Sequence, residues 1–381
     1  MNVTDLIFDI EEMIAVLQLW VETESPYFDS ASVNRVIDLA AHDLAAMGAT
    51  IQRLPGRLGY GDILKASIGT ESRIGNKVGN QAHDQTGVLI CCHADTPHPS
   101  GAIDTMAYRR EGNKLWGAGI HSSKAGLLVC MQALRQLQQA NWQQNSPVTV
   151  LVLPDKEQGF ESSREFIEAS ARGCKHVLVM APGDGGLHTS RHAQARFKLD
   201  VKRDRVAELK PLSRSVIAEM AGHVLEIEAM STPECTYTVQ SFESNQWIKF
   251  AEKCSAVVLC EAHTPQSVKS GADQMFSLNS PDPDNGLHVN RTVTLPLWEP
   301  QAISKGLFDI ACDVGGQLNL KLTTSTGAGG SSGNVTGAMG IATLDGLGPK
   351  GAGAGTRAEY IEIDSLAERA QLLAGLVSKL A

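Results

Sequence analysis

No C-x-x-C spacing occurs among the eight cysteines (Cys91, Cys92, Cys130, Cys174, Cys235, Cys254, Cys260 and Cys312), so the usual cysteine motif for metal or dithiol chemistry is missing. Most of them stand in apolar stretches, the pattern of reduced core thiols in a cytoplasmic protein. An excess of basic residues is lacking too. Lysine and arginine number 33 against 42 aspartates and glutamates, for a net charge of -9 and a pI near 5.7. That balance argues against nucleic acid or an anionic membrane as partner. The opening residues Met1-Asn2-Val3-Thr4-Asp5 carry no basic cluster, and Asp9, Glu11 and Glu12 interrupt the apolar residues that follow. An amphipathic helix is expected there, not a signal peptide or a membrane span. The Gly-rich run Thr326-Gly327-Ala328-Gly329-Gly330-Ser331-Ser332-Gly333-Asn334 lacks the lysine of a phosphate-binding P-loop. No internal repeat is evident. What remains is an ordinary globular composition, 43% hydrophobic and 20% charged over 381 residues, long enough for two domains.

Hydrophobic spacing predicts helices over 5–21 and 31–47, the second capped by Ser30 or Ser32. Strands are expected over 61–68, 87–92, 147–153 and 176–180, and helices over 123–139 and 162–171. Strands alternating with helices imply an α/β fold, with a mostly parallel sheet flanked by helices. Near Ala195 the texture changes. Residues 196–206 and 236–242 read as strands, 211–226 and 244–254 as helices, 256–260 as an apolar strand and 277–286 as a loop. The charged stretch Lys198, Asp200, Lys202, Arg203 reads as a sheet edge. Helices are expected again over 301–317 and 365–380. The implied organisation is one α/β domain built from 1–194 plus 295–381, with an inserted α+β lid or dimerisation domain over 195–294.

The buried strand Gly87-Val88-Leu89-Ile90-Cys91-Cys92 delivers His93 and Asp95 at its C-terminal end, where open α/β sheets place their chemistry. A histidine with a carboxylate two residues on is a common way to hold and orient a metal. Further along stand Gly61-Asp62, Leu115-Trp116-Gly117-Ala118-Gly119, Lys124-Ala125-Gly126, Asp155-Lys156-Glu157-Gln158-Gly159 and Leu344-Asp345-Gly346-Leu347-Gly348-Pro349. In this order, across nearly the whole chain, the set resembles the co-catalytic zinc metallopeptidase and aminoacylase family. That family includes glutamate carboxypeptidase, acetylornithine deacetylase and succinyl-diaminopimelate desuccinylase. The resemblance implies an α/β catalytic domain bearing an inserted lid that commonly dimerises. It also implies two zinc ions that share one bridging Asp, each with two further protein ligands, and a Glu as general base.

Carried over residue by residue, that pattern is incomplete. His93 matches a ligand of the first metal, and Asp95 the carboxylate that orients it. The bridging Asp falls on Ser122 and the general base on Lys156, while Glu157 matches a ligand of the second metal. The other ligand of the first metal falls on Ala181, and the C-terminal His on Gly355. Ser332 stands where the family's G-[GS]-S-D stretch has its Asp. The lid His has no counterpart near Ala207-Glu208, and the lid Arg falls near Cys260. One protein ligand per metal falls short of the three that a catalytic zinc takes, and the Lys156 ammonium would repel a divalent ion. His98, His121 and Asp184 are the candidates for a rebuilt site with His93 and Glu157. Lys156, Glu157 and Asp95 otherwise read as an ion-pair network that replaces the metal charge. Ser122, Ser123 and Lys124 invite comparison with Ser-Lys nucleophile pairs, and a filler role fits them better.

The reading that follows is a metallopeptidase- or deacylase-like protein with a disabled dizinc site. It would be a non-hydrolytic binding or regulatory protein for a small acyl amino acid, a peptide or a protein partner, with no cofactor. The alternative is an enzyme acting on an amide or N-acyl amino acid through a rebuilt or metal-independent site, with zinc as cofactor in the rebuilt case. Either way a cytoplasmic homodimer is expected, binding neither nucleic acid nor membrane.

Overall fold

A computed structural model gives the structure over residues 3–69, 86–183, 186–202, 215–247, 250–282 and 286–381. Asp184 and the segment around Ala207-Glu208 lie outside these described residues. A 3-10 turn, Val3–Asp5, precedes helix α1 (Ile10–Glu22), which starts later than the expected residue 5 because the Asp9 carboxylate accepts the Glu12 N–H and caps it. Helix α2 (Ser30–Ala46) is capped by Asp29, which accepts from the Ala31 and Ser32 amides, and not by either expected serine. Strands β1 (Thr50–Leu54), β2 (Ile63–Ile68) and β3 (Val88–His93) follow, then β4 (Arg109–Glu111) and β5 (Lys114–Trp116). One π-helical turn, Ile120–Lys124, leads into α3 (Ala125–Gln139). Next come β6 (Val148–Leu153), α4 (Arg164–Arg172), β7 (His176–Val179) and β8 (Leu187–Arg191).

The central sheet has the order β1-β2-β6-β3-β7-β14, where β14 spans Ala342–Leu344. β6, β3, β7 and β14 run parallel, and at one edge β2 pairs antiparallel with β6 and β1 antiparallel with β2. All six residues of β3 are buried, as in a strand covered on both faces. Helices α2 and α3, with α7 (Ala302–Gln317) and α8 (Ser332–Ala338), pack against this sheet. The C-terminal helix α9 (Asp364–Leu380) packs on α3 and α1. Their apolar residues, among them Trp20, Ile37, Leu128 and Leu373, form one continuous core. Strand β13 (Thr324–Gly327) pairs with β8, and β15 (Gly351–Ala352) and β16 (Tyr360–Glu362) extend the β5-β4 ribbon.

The chain divides into two compact units: 1–191, 299–327 and 331–381 form the first, and 192–298 with 328–330 the second. The changeover therefore falls three residues before the expected Ala195, and 328–330 of the Gly-rich run go with the second unit. In that unit β10 (Cys235–Trp247), β11 (Phe250–Ala262), β9 (Ala193–Lys202) and β12 (Gly286–Leu295) form an antiparallel sheet in that order. Helices α5 (Val216–Ala229) and α6 (Pro265–Ser277) pack on it, with Phe197, Leu199, Met220 and Met275 in its core.

Three sequence expectations change here. The helix expected over 244–254 is the β10–β11 hairpin, whose register runs from Cys235↔Ala262 to Trp247↔Phe250. The spacing of Trp247, Phe250, Ala251 and Cys254 suits a helix, and non-local strand pairing overrides it. Helix α6 was not expected, although Pro265 at its first turn and the reciprocal Thr264–Ser267 capping box mark its start. The charged stretch at 198–202 lies on β9, which is flanked on both sides by β11 and β12 and is no edge. Asp200 there is satisfied by Ser255 Oγ at 2.6 Å and Lys253 Nζ at 2.9 Å.

Candidate functional site

At the C-terminal end of the parallel strands, β3 supplies His93 and then Asp95, and β6 leads through Asp155 into the single 3-10 turn Lys156–Gln158. Asp155 fixes this turn: its carboxylate is buried and accepts the Ser162 and Ser163 amides at 2.6 and 3.0 Å. The π-helical turn brings His121, Ser122 and Ser123 to the same end, and Ser123 Oγ donates to the His93 carbonyl at 2.7 Å. Ser332, at the start of α8, places its Oγ 3.4 Å from His93 Nε2.

Lys156 governs the local chemistry. Its Nζ donates to the Ser122 carbonyl at 3.1 Å and to Glu157 Oε1 at 3.0 Å. Burial opposes its charge, but the Glu157 and Asp95 carboxylates outweigh burial and hold its pKa above the ordinary lysine value. Asp95 accepts the Glu157 N–H at 2.8 Å through Oδ2, while Oδ1 has no hydrogen-bond partner. Burial, then the neighbouring Glu157, push Asp95 up to about 7. Burial, then Lys156, push His93 down to about 3, which leaves it a neutral imidazole at physiological pH. His93 Nδ1 also lacks a partner, so no hydrogen bond joins His93 to Asp95. Phe160, fully buried with φ of 64°, sets its ring 5.9 Å from the His93 ring.

The remaining sequence candidates are placed as follows. Ser122 Oγ is buried without a partner. Ala181 is buried, and its carbonyl is taken by the Gly348 N–H at 2.9 Å. His121 Nε2 lies 3.3 Å from the Gly183 carbonyl. Gly355 has φ of +75°, and its N–H donates to Glu359 Oε2 at 2.8 Å. His98 Nε2 is 3.5 Å from Glu359 Oε1, within ion-pair reach but off hydrogen-bond geometry. Thus His98 turns toward Glu359 and His121 toward Gly183, and neither completes a set with His93 and Glu157. Among the described residues no group of three or more His, Cys, Asp or Glu is arranged to hold a metal ion.

Residues 89–379 match the sequence profile of peptidase family M20/M25/M40. The chain belongs to this family. Carboxypeptidase G2 of Pseudomonas sp. (strain RS-16) is 24% identical over 362 residues, which cover 89% of this chain and 85% of that one. Among solved structures, human carnosine dipeptidase 1 superposes with a TM-score of 0.71 at 14% identity, with 97% of each chain covered. The di-peptidase Dug1p of Saccharomyces cerevisiae gives 0.72 at 12% identity, covering 97% of this chain and 95% of that one. At these identities the structural matches establish the shared fold, an α/β architecture with a mainly parallel central sheet.

The donor set here does not fit the pair of zinc ions that the family resemblance implies. His93 and Glu157 keep ligand-type side chains, but Glu157 is paired with Lys156, whose ammonium occupies the space beside it. The methyl of Ala181 and the bare Cα of Gly355 offer no donor, and Ser122 offers a neutral hydroxyl where a bridging carboxylate would be needed. Sequence reasoning missed Phe160 and Glu359, and did not foresee that Lys124 and His98, both singled out for other roles, are buried and act with Glu359. For Lys124 a signal existed, since it lies on the apolar stripe with Leu127, Leu128 and Met131. Its ammonium is buried and donates to the Val21 and Thr23 carbonyls at 3.3 and 2.6 Å.

Proposed function

We propose that this M20-family chain has lost two-metal hydrolysis and serves as a binding or regulatory protein. Its cleft would take a small acyl amino acid, a peptide or a segment of a protein partner. The observation that carries this reading is the Lys156 ammonium held between the Ser122 carbonyl and Glu157. It sits where the family needs a general base, and its charge opposes a divalent ion next to it. A lysine held in its charged form cannot deprotonate water. No cofactor is needed in this reading. The free state of all eight cysteines supports a reducing, cytoplasmic setting. No helix among the described residues is long and apolar enough to cross a membrane. Homodimerisation through the second unit completes the proposal.

A second reading, an enzyme acting on an amide or N-acyl amino acid without the metal pair, is favoured by one observation. His93 Nδ1, Asp95 Oδ1 and Ser122 Oγ are buried polar atoms with no partner, a costly arrangement of the kind that active sites retain. Elemental analysis after mild purification, paired with hydrolysis assays on N-acyl amino acids with and without chelator, separates the two. The binding reading expects well under one metal per chain and no turnover. Stoichiometric zinc that is lost on changing His93 or Glu157 would overturn it, and so would chelator-resistant hydrolysis.

A further inference from the structure

Lys156 has three N–H donors, and among the described residues two of them are used, on the Ser122 carbonyl and on Glu157. The side chain is only 12% exposed, so water from bulk solvent satisfies the third poorly. Beside it Ser122 Oγ is buried without a partner, and Ser332 Oγ reaches His93 only at 3.4 Å. The charges acting on His93 are the cations Lys156 and Arg191 against the single anion Asp345, which Arg191 holds at 2.6 Å. Asp95 Oδ2 is taken by the Glu157 amide, and its Oδ1 is buried without a partner. The space between Lys156, Ser122, His93 and Ser332 therefore combines an unused ammonium donor with the unpartnered Ser122 hydroxyl and the weakly held Ser332 hydroxyl, beside the Glu157 and Asp95 carboxylates that act on the same ammonium.

We infer that this space is a receptor for a carboxylate group of a small ligand, with Lys156 as the charged donor and Ser122 and Ser332 as neutral ones. This deepens the proposed binding function and rests on the metal-free reading of the cleft. A carboxylate fits better than an amide carbonyl, because a charge-assisted hydrogen bond is roughly twice as strong as a neutral one. Repulsion by the Asp95 and Glu157 carboxylates would confine the bound group to the Ser122 and Ser332 side.

Binding of acetate and of its uncharged counterpart acetamide to the full chain, followed by NMR titration, tests this. Zinc content is measured on the same sample. Acetate should bind about tenfold or more tightly than acetamide, in keeping with hydrogen bonds to charged groups. Lys156→Met should remove that preference, Ser122→Ala and Ser332→Ala should each weaken acetate binding several-fold, and the remote Lys253→Met should leave it unchanged. Equal binding of acetate and acetamide by the unaltered protein, or no binding of either, would overturn the inference whether or not Lys156→Met folds. Stoichiometric zinc in the sample would instead strike at the metal-free reading. A zinc-free protein that ignores acetate would sink the carboxylate receptor alone.

Discussion

His93 and Asp95 stand two residues apart at one strand end, yet burial moves their protonation in opposite directions. His93 is held down to about 3 from an ordinary 6.5, so across that interval the unfolded chain binds more protons and stability grows as pH rises. Asp95 is pushed up to about 7 from an ordinary 3.8, so the folded chain binds more protons and stability falls as pH rises across that interval. The two slopes oppose each other where the intervals overlap. Asp95→Asn removes the falling contribution, and its stability should climb more steeply than the parent's between about pH 4 and 6.5. His93→Gln should do the reverse. Urea denaturation across that range decides, and identical slopes in all three proteins would refute the assignment. The positions that the family resemblance assigns to missing ligands allow a constructive test at the same scale. Ser122→Asp, Lys156→Glu, Ala181→Glu and Gly355→His together restore the family donor set, and that variant should take up about one zinc or more per chain. Gly355→His must keep a φ of +75°, a backbone strain of about 1–2 kcal/mol, although an added Cβ would meet only Pro97 Cγ, at 3.4 Å. Failure of the folded variant to bind zinc would mean that the cleft has changed in more than its side chains.

Two helix ends carry the predictions at the scale of elements. The N-terminus of α2 depends on Asp29, whose carboxylate meets two backbone amides, and Asp29→Ala should cost about 1 kcal/mol. Hydrogen bonds from Ser32 hold the pKa of Asp29 below its ordinary value. Its contribution is therefore present above the unfolded pKa and is lost as pH falls through the folded one, so parent and variant should converge in strong acid. The C-terminus of α1 depends on Lys124, which bonds the last carbonyls from inside the protein. Burial pushes this lysine down to about 7 from 10.5, with Glu359 and Glu24 opposing. Between those values the unfolded chain binds more protons, so stability should rise with pH there in the parent and stay flatter in Lys124→Met. Thermal melts from neutral to alkaline pH measure it, and parallel curves would count against a buried ammonium. Asp29 could have been read from the chain, because aspartate is as good a cap as the adjacent serines. Lys124 could be read only as a charge on an apolar stripe, since its partners lie on a helix distant in sequence.

At the scale of the whole molecule, the second unit presents exposed apolar side chains on its helices, Ile217 and Leu225 on α5 with Val268 and Phe276 on α6. A homodimer that uses this unit would cover them. Sedimentation at micromolar concentration should show a dimer, and Leu225→Glu with Phe276→Glu should shift it toward monomer while the far-UV spectrum is kept. A clean monomer in the parent would refute the proposed assembly. The proposed metal-free cleft also makes a calorimetric prediction. Excess zinc should raise the melting temperature little, because linkage stabilisation requires real affinity for the folded state.

The sequence by itself determined the fold class and the family, because alternating buried strands and helices and a series of ordered short motifs are local properties of the chain. It also marked Ser122, Lys156, Ala181 and Gly355 as side chains without the needed donor chemistry, since donor chemistry is fixed by residue identity. Only the tertiary structure decided what those residues do instead. The seat of Lys156 on the Ser122 carbonyl, the turn of His98 toward Glu359 and the cover that Phe160 places on His93 are contacts between distant segments. The β10–β11 hairpin shows the same limit at larger scale: its residues fit a helix locally, and pairing of the two strands with each other, with β9 alongside β11 from Lys253 on, made them strands. Periodicity records how a segment presents its apolar face, whereas hydrogen-bond partners and the electrostatics of a buried site depend on what the rest of the chain brings alongside.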